Sequence, residues 1–169
     1  MTTSEKNLKF NMSDIYQILN DLNIQYTKYD HPAVFTADEA KEMVGDIPGE
    51  HIKNLFLRNR KGSKHYLVVV DAQKQVDLKK LGEALGEKLG FASPERMMTY
   101  LGVTPGSVTL LGLINDTNKE VVVVLDTELD KRKSLHCHPL VNTATLVIPQ
   151  DGINKFLQWR GNEVKHINL

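Results

Sequence analysis

The sequence predicts one mixed α/β domain, a central mixed sheet wrapped by helices, on three observations. The chain has 169 residues, which is one domain's worth and enough to bury about two thirds of its unfolded surface around a single core. Two segments, Leu67-Val-Val-Val70 and Val121-Val-Val-Val-Leu125, are apolar at every position. Strands of that kind are covered on both faces, as in a sheet enclosed by helices. Helical and strand patterns also alternate irregularly, with a hairpin among them, which argues against a doubly wound parallel fold. No repeat, linker or low-complexity segment divides the chain.

Residues 1–12 read as a loose tail, followed by one domain over residues 13–169. Ser13 as N-cap, with Ile15, Ile18, Leu19 and Leu22 at helical spacing, predicts a first helix to about Asn23. Ile24 to Tyr29 is a short strand, broken by His31-Pro32, and Thr36-Ala-Asp-Glu39 is a capping box for a helix through Val44. Ile52 to Arg58 and Tyr66 to Asp71 are strands joined by a turn at Lys61-Gly62-Ser63. Asp77 to Leu89 has Leu78, Leu81, Leu85 and Leu89 on one helical face. Gly82, Gly86 and Gly90 recur there at a membrane-dimer spacing, but Glu83, Glu87 and Lys88 make close packing of a water-exposed helix the better account.

Ser93-Pro94 opens a helix to Leu101 with a cap and a proline in the first turn. Ser107 is placed as the cap of a short helix through Leu113. Val121 to Leu125, Leu135 to His138, Thr143 to Ile148 and Glu163 to Ile167 are strands, with a closing helix over Asp151 to Trp159.

Composition removes several function classes. A hydrophobic share of 41% and a charged share of 25% describe an ordinary globular chain, and no apolar run approaches the roughly 20 residues of a membrane helix. The first residues lack a secretory signal, and Cys137 is the sole cysteine, so no internal disulfide forms and the cytoplasm is the expected compartment. A net charge of zero argues against nucleic-acid binding by bulk positive charge. Arg58, Arg60, Lys61 and Lys64 around Gly62 are a local basic patch and a candidate RNA contact, and Lys131-Arg132-Lys133 is a second. The plain alternative is a solvated hairpin tip.

The chain has no P-loop, GxGxxG, HExxH, GxSxG or CxxC motif. Three anomalies remain. Lys53 shares a strand face with Leu55 and Leu57, so it either reaches solvent at the strand end or lies in a cleft with an anionic partner. Gly102-Val-Thr-Pro-Gly106-Ser107 puts two glycines and a proline before a helix start, which suits a backbone approaching an anion or carbonyl oxygen, and equally suits a plain capped turn. In His136-Cys137-His138 the histidines face one way and the cysteine the other. A zinc site there would require a third ligand such as His31, His51 or His65.

Lys53-Asn54-Leu55-Phe56-Leu57, Gly102-Val-Thr-Pro-Gly106-Ser-Val108 and His138-Pro-Leu-Val-Asn-Thr-Ala-Thr145 together resemble the prolyl-tRNA editing domain family. That family includes the insertion domain of bacterial prolyl-tRNA synthetases and freestanding relatives. The similarity runs from about Ser13 to the C-terminus, and the histidine-proline segment resembles the freestanding alanyl-tRNA(Pro) deacylases more than the cysteine-specific branch.

The resemblance implies the editing-domain fold, with a largely antiparallel mixed sheet and a cleft for the aminoacylated 3′ end of transfer RNA. It implies catalytic roles for Lys53 and His138, a pocket lined by Gly102, Thr104, Pro105, Gly106 and Ser107, and flanking substrate contacts from Asn54, Asn142 and Thr145. It implies no metal and no cofactor, with prolyl-tRNA synthetase as a possible partner. Such an editor answers a limit on binding, since a synthetase pocket shaped for proline rejects a smaller residue by only about 1–3 kcal/mol per missing methylene. Two other classes compete: a non-catalytic module that binds charged RNA or a synthetase, because fold does not fix function, and a zinc hydrolase centred on His136 and His138.

Overall fold

The computed structural model describes residues 9–33 and 37–169. In chain order the elements are α1 (Met12–Asp21), β1 (Thr27–Asp30), α2 (Ala37–Val44), β2 (Ile52–Asn59), β3 (His65–Asp71), α3 (Leu78–Leu85), β4 (Leu89–Phe91), α4 (Pro94–Leu101), β5 (Val121–Asp126), β6 (Ser134–Cys137), β7 (Ala144–Pro149), α5 (Gln150–Arg160) and β8 (Val164–Ile167). Short 3-10 helices at Pro105–Ser107, Leu110–Asn115 and Thr127–Lys131 occupy the connections on either side of β5.

The mixed α/β class holds, with the strands divided between two sheets. One has the order β4-β2-β3-β5-β8, antiparallel from β4 to β3 and parallel from β3 to β8. The other is an antiparallel β1-β7-β6 sheet. They join just before β2, where Glu50 N donates to Ser134 O and His136 N donates to Glu50 O, both at 2.9 Å.

Period-two alternation sorts the side chains of β2 and β3 into two cores. Ile52, Phe56, Leu67 and Val69 pack with Leu101, Val103, Leu135, Cys137 and Leu140. Leu57, Val68 and Val70 pack on the opposite face with Val124 and with Leu81 of α3. The apolar run Leu67 to Val70 of β3 is therefore enclosed on both sides, as its composition requires.

Local corrections have identifiable causes. Asn11, not Ser13, caps α1: its side chain accepts from Asp14 N, and the Asp14 carboxylate accepts from Asn11 N. From Lys9 onward the stretch read as tail is tied down, with Lys9 Nζ donating to the Thr99 carbonyl and Phe10 N donating to Asn115 Oδ1 at 2.7 Å. Helix α3 stops at Leu85 because Gly86 takes a φ of 71°, and the chain turns back to pair Leu89–Phe91 with β2 as β4. Ser107 lies inside a 3-10 turn, while Thr109 caps the next one by accepting from Leu111 N at 3.3 Å. Thr36, the expected cap of α2, falls outside the described residues.

Candidate active site

One edge of β2 is paired with β3 from Ile52 to Arg58. The other edge is shared by two strands that cover only its ends. Toward the C-terminal end β4 pairs with Leu57 to Asn59, and Ala92 N donates to Phe56 O at 2.9 Å. Just before the N-terminal end β6 takes both backbone groups of Glu50. Successive residues of an antiparallel strand direct their peptide groups to alternate edges, so those of Ile52 and Asn54 face the gap between β6 and β4. Among the described residues no strand pairs there. The side-chain oxygen of Asn54 is buried without a hydrogen-bond partner, which concentrates unused polar capacity at one spot.

Lys53 leaves β2 on the face of Leu55 and Leu57, opposite to Asn54. It is half-buried, and among the described residues it makes no ion pair. No carboxylate among those residues holds its ammonium. His51, two residues earlier, faces the same way by alternation, and its ring centroid is 5.9 Å from that of His136. On β6, Leu135 and Cys137 enter the core while His136 takes the other side, which His138 shares by alternation.

Carbonyl partners fix which ring nitrogen carries the proton in His138, His136 and His31. His138 Nδ1 lies 3.2 Å from Ala144 O; a carbonyl only accepts, so Nδ1 donates and Nε2 keeps its lone pair. The same reasoning puts the His136 proton on Nε2, which donates to Pro48 O at 2.8 Å, and the His31 proton on Nδ1, which donates to Pro32 O at 2.8 Å. His31 Nε2 then accepts from the Thr145 hydroxyl at 2.8 Å. Burial holds His51, His136 and His138 below the ordinary imidazole range, aided at His51 by His136 and His138 and at His138 by His31 and His136, while the Ala144 hydrogen bond opposes at His138. At pH 7 this face presents neutral imidazoles beside a lysine.

The segment after His138 crosses between faces, since Leu140 is buried in the core with Val103 and holds a φ of 68°, strained for a leucine. Asn142 follows, half-buried. Thr145 is 2% exposed and its hydroxyl is engaged by His31. Gly102 is the C-cap of α4 with a φ of 66°, and a Cβ there would overlap the Asn115 side chain. Beyond it Thr104 and Pro105 are exposed, Gly106 is half-buried, and Ser107 is buried with its N–H donating to Thr104 O at 2.9 Å. Leu101 and Val103 pack on the Asn54 side of β2. The loop and Lys53 can therefore meet a common ligand only around the open strand edge.

The basic hairpin tip is elsewhere. Arg60, Lys61 and Lys64 are exposed, about 20 Å along β2 from Lys53. Arg58 donates to Asn59 O at 3.1 Å, and Lys64 pairs with Glu87 at 3.6 Å. His65 is also remote from the other histidines, stacked on Phe56 with a centroid spacing of 5.6 Å and 2.8 Å from an Arg96 nitrogen. Among the described residues no three His, Cys, Asp or Glu side chains assemble as a metal would require. The parts that sequence reasoning missed are His51, considered only as a zinc ligand although two-residue spacing puts it on the Lys53 face, and the open edge itself.

Comparison with known proteins gives a consistent result. The family model for the aminoacyl-tRNA editing domain matches residues 31–156. The chain is 40% identical over 152 residues to the prolyl-tRNA editing protein ProX of Acetoanaerobium sticklandii, covering 89% of this chain and 93% of that one. It is 36% identical over 148 residues to prolyl-tRNA synthetase associated domain-containing protein 1 of Danio rerio, covering 86% and 80%. Among solved structures, hypothetical protein APE2540 superposes with a TM-score of 0.70 at 19% identity, covering 90% and 97% of the two chains. A proposed trans-editing enzyme for prolyl-tRNA synthetase superposes with a TM-score of 0.68 at 22% identity, covering 98% of each. At those identities the two structures establish the fold.

Proposed function

The chain belongs to the aminoacyl-tRNA editing domain family, and on that premise we propose that it is a freestanding deacylase acting on mischarged tRNA(Pro), with alanyl-tRNA(Pro) as substrate. The observation that carries this reading is the juxtaposition at the open edge of β2, where among the described residues a lysine has no carboxylate partner on one face, the Asn54 amide oxygen has no hydrogen-bond partner on the other, and no strand pairs with the peptide groups between them. An aminoacyl ester has complementary parts, with an anionic phosphate and ribose hydroxyls on one side of the ester and an ammonium on the other.

In this mechanism water attacks the ester carbonyl carbon, and negative charge gathers on the carbonyl oxygen. Lys53 acts electrostatically, on that oxygen or on the terminal phosphate, rather than as a base. The Nε2 lone pair of neutral His138 orients the water or the substrate. The vicinal ribose hydroxyl assists activation of the water, and the ribose oxygen leaves with a proton as the carbon–oxygen bond breaks. The Ser107 N–H is already occupied by Thr104, so Gly106 N–H is the donor we assign to the oxyanion. Cys137 is 2% exposed, and burial pushes its thiol up to about 12, which disfavours a thiolate nucleophile.

The natural partners of such an enzyme are the acceptor end of tRNA(Pro) and the synthetase that recharges it, in the cytoplasm. Among the described residues no helix is long and apolar enough to cross a membrane. The test is a panel of mischarged transfer RNAs. We expect release of alanine from alanyl-tRNA(Pro), intact prolyl-tRNA(Pro), and a loss of about a hundredfold in kcat for Lys53→Ala. Binding of the RNA without deacylation of any member would replace this reading with a non-catalytic one.

A further inference from the structure

Phe91 is the most exposed large apolar side chain among the described residues, at 63%. It ends β4, the outer strand of the five-stranded sheet, and pairs directly with Leu57. Residues directly opposite in an antiparallel pair present their side chains on one face, so Phe91 lies on the face of Leu55 and Lys53. Leu89, two residues before it on that face, packs into the core under α3, whereas Phe91 does not. Strand geometry puts the Cα atoms of Phe91 and Lys53 about 14 Å apart, with half-buried Leu55 between them.

An exposed aromatic on an edge strand is an aggregation liability. About 14 Å from a lysine that makes no ion pair among the described residues, it has the makings of a surface for single-stranded nucleic acid, where a base stacks on the ring and a cation holds the backbone. Stacking matters more than usual here, because a chain of zero net charge gains little from phosphate contacts alone. We propose that Phe91 is a stacking platform for a base of the single-stranded acceptor end, whose backbone then runs along the outer edge of β2 to Lys53. This rests on the deacylase reading for the identity of the strand, and not for the existence of the surface.

The experiment uses the full-length chain with two probes, the trinucleotide cytidylyl-cytidylyl-adenosine for binding and alanyl-tRNA(Pro) for turnover. Phe91→Ala and Phe91→Leu should each weaken trinucleotide binding and raise KM by about tenfold, with kcat unchanged. Phe91→Trp should bind at least as well as the parent, and in a Trp159→Phe background its fluorescence should be quenched by the trinucleotide. Parental affinity in Phe91→Leu would show that any apolar group suffices and would overturn the proposal, as would a change confined to self-association. If the parent protein deacylates nothing while Phe91→Ala still weakens trinucleotide binding, the deacylase reading fails and this one stands. If the parent deacylates and all Phe91 variants keep its KM, the reverse holds.

Discussion

A carbonyl oxygen cannot donate, and that settles which nitrogen of His138 is available: Nδ1 is spent on Ala144, and Nε2 remains an acceptor. Protonation converts that acceptor to a donor. Because burial holds the folded His138 below the ordinary imidazole range, kcat/KM for the mischarged substrate should be flat near pH 7 and fall on the acid side, with a midpoint below about 6.5. In His138→Gln, which has no proton to gain, the acid limb should disappear along with part of the rate. A pH–rate profile with the same acid limb in the variant would remove His138 from the reaction. The face occupied by Lys53 was readable from alternation with Leu55 and Leu57, and the opposite faces of Cys137 and His136 likewise. The bond between His31 and Thr145 was not, since 114 positions separate the two residues and nothing local couples them.

At the scale of elements, α3 shows how periodicity misleads about an end. Leu89 continues the helical spacing of Leu78, Leu81 and Leu85, yet it belongs to β4 and reaches the same core by a different path. Both arrangements satisfy the burial pattern, and only the left-handed Gly86 and the pairing to β2 separate them. The glycine spacing proposed to permit close packing does so at one position: a Cβ on Gly82 would overlap the Glu87 carbonyl oxygen. Backbone must shift to admit it, so Gly82→Ala should destabilise by about 1–3 kcal/mol in urea unfolding, despite the better helix propensity of alanine. An unchanged midpoint would mean that the turn after α3 yields freely. The open edge of β2 is also a property of elements, because it exists only where β4 and β6 both stop short.

For the whole molecule, His65 links the two ends of a long-range contact. It is 1% exposed, stacked on Phe56 with Tyr100 tilted against it, and accepts from Arg96, which also donates to Gly62 O at 3.1 Å and so ties the hairpin tip to α4. Burial, with the Arg96 guanidinium beside it, pushes its folded pKa down to about 4. The unfolded chain then binds the proton more tightly than the folded one, so stability falls as pH drops from about 6.5 toward 4, by up to about 3 kcal/mol from this group. Urea unfolding across that range should show the loss, and His65→Phe should flatten it. A variant with the parental slope would assign the acid sensitivity to other groups.

Local spacing and residue chemistry were enough to read the mixed α/β class, the doubly covered strands, the Ser93 cap of α4 and the shared face of Lys53, Leu55 and Leu57. Short-range sterics and hydrophobic periodicity act between near neighbours, and so they can be read along the chain. Long-range pairing and packing set the division into two sheets, the gap in strand pairing beside Asn54, and the burial that lowers the pKa of His51, His136 and His138. Those depend on which distant strands pair, and on desolvation, which is set by whatever surrounds a group and not by its place in the chain.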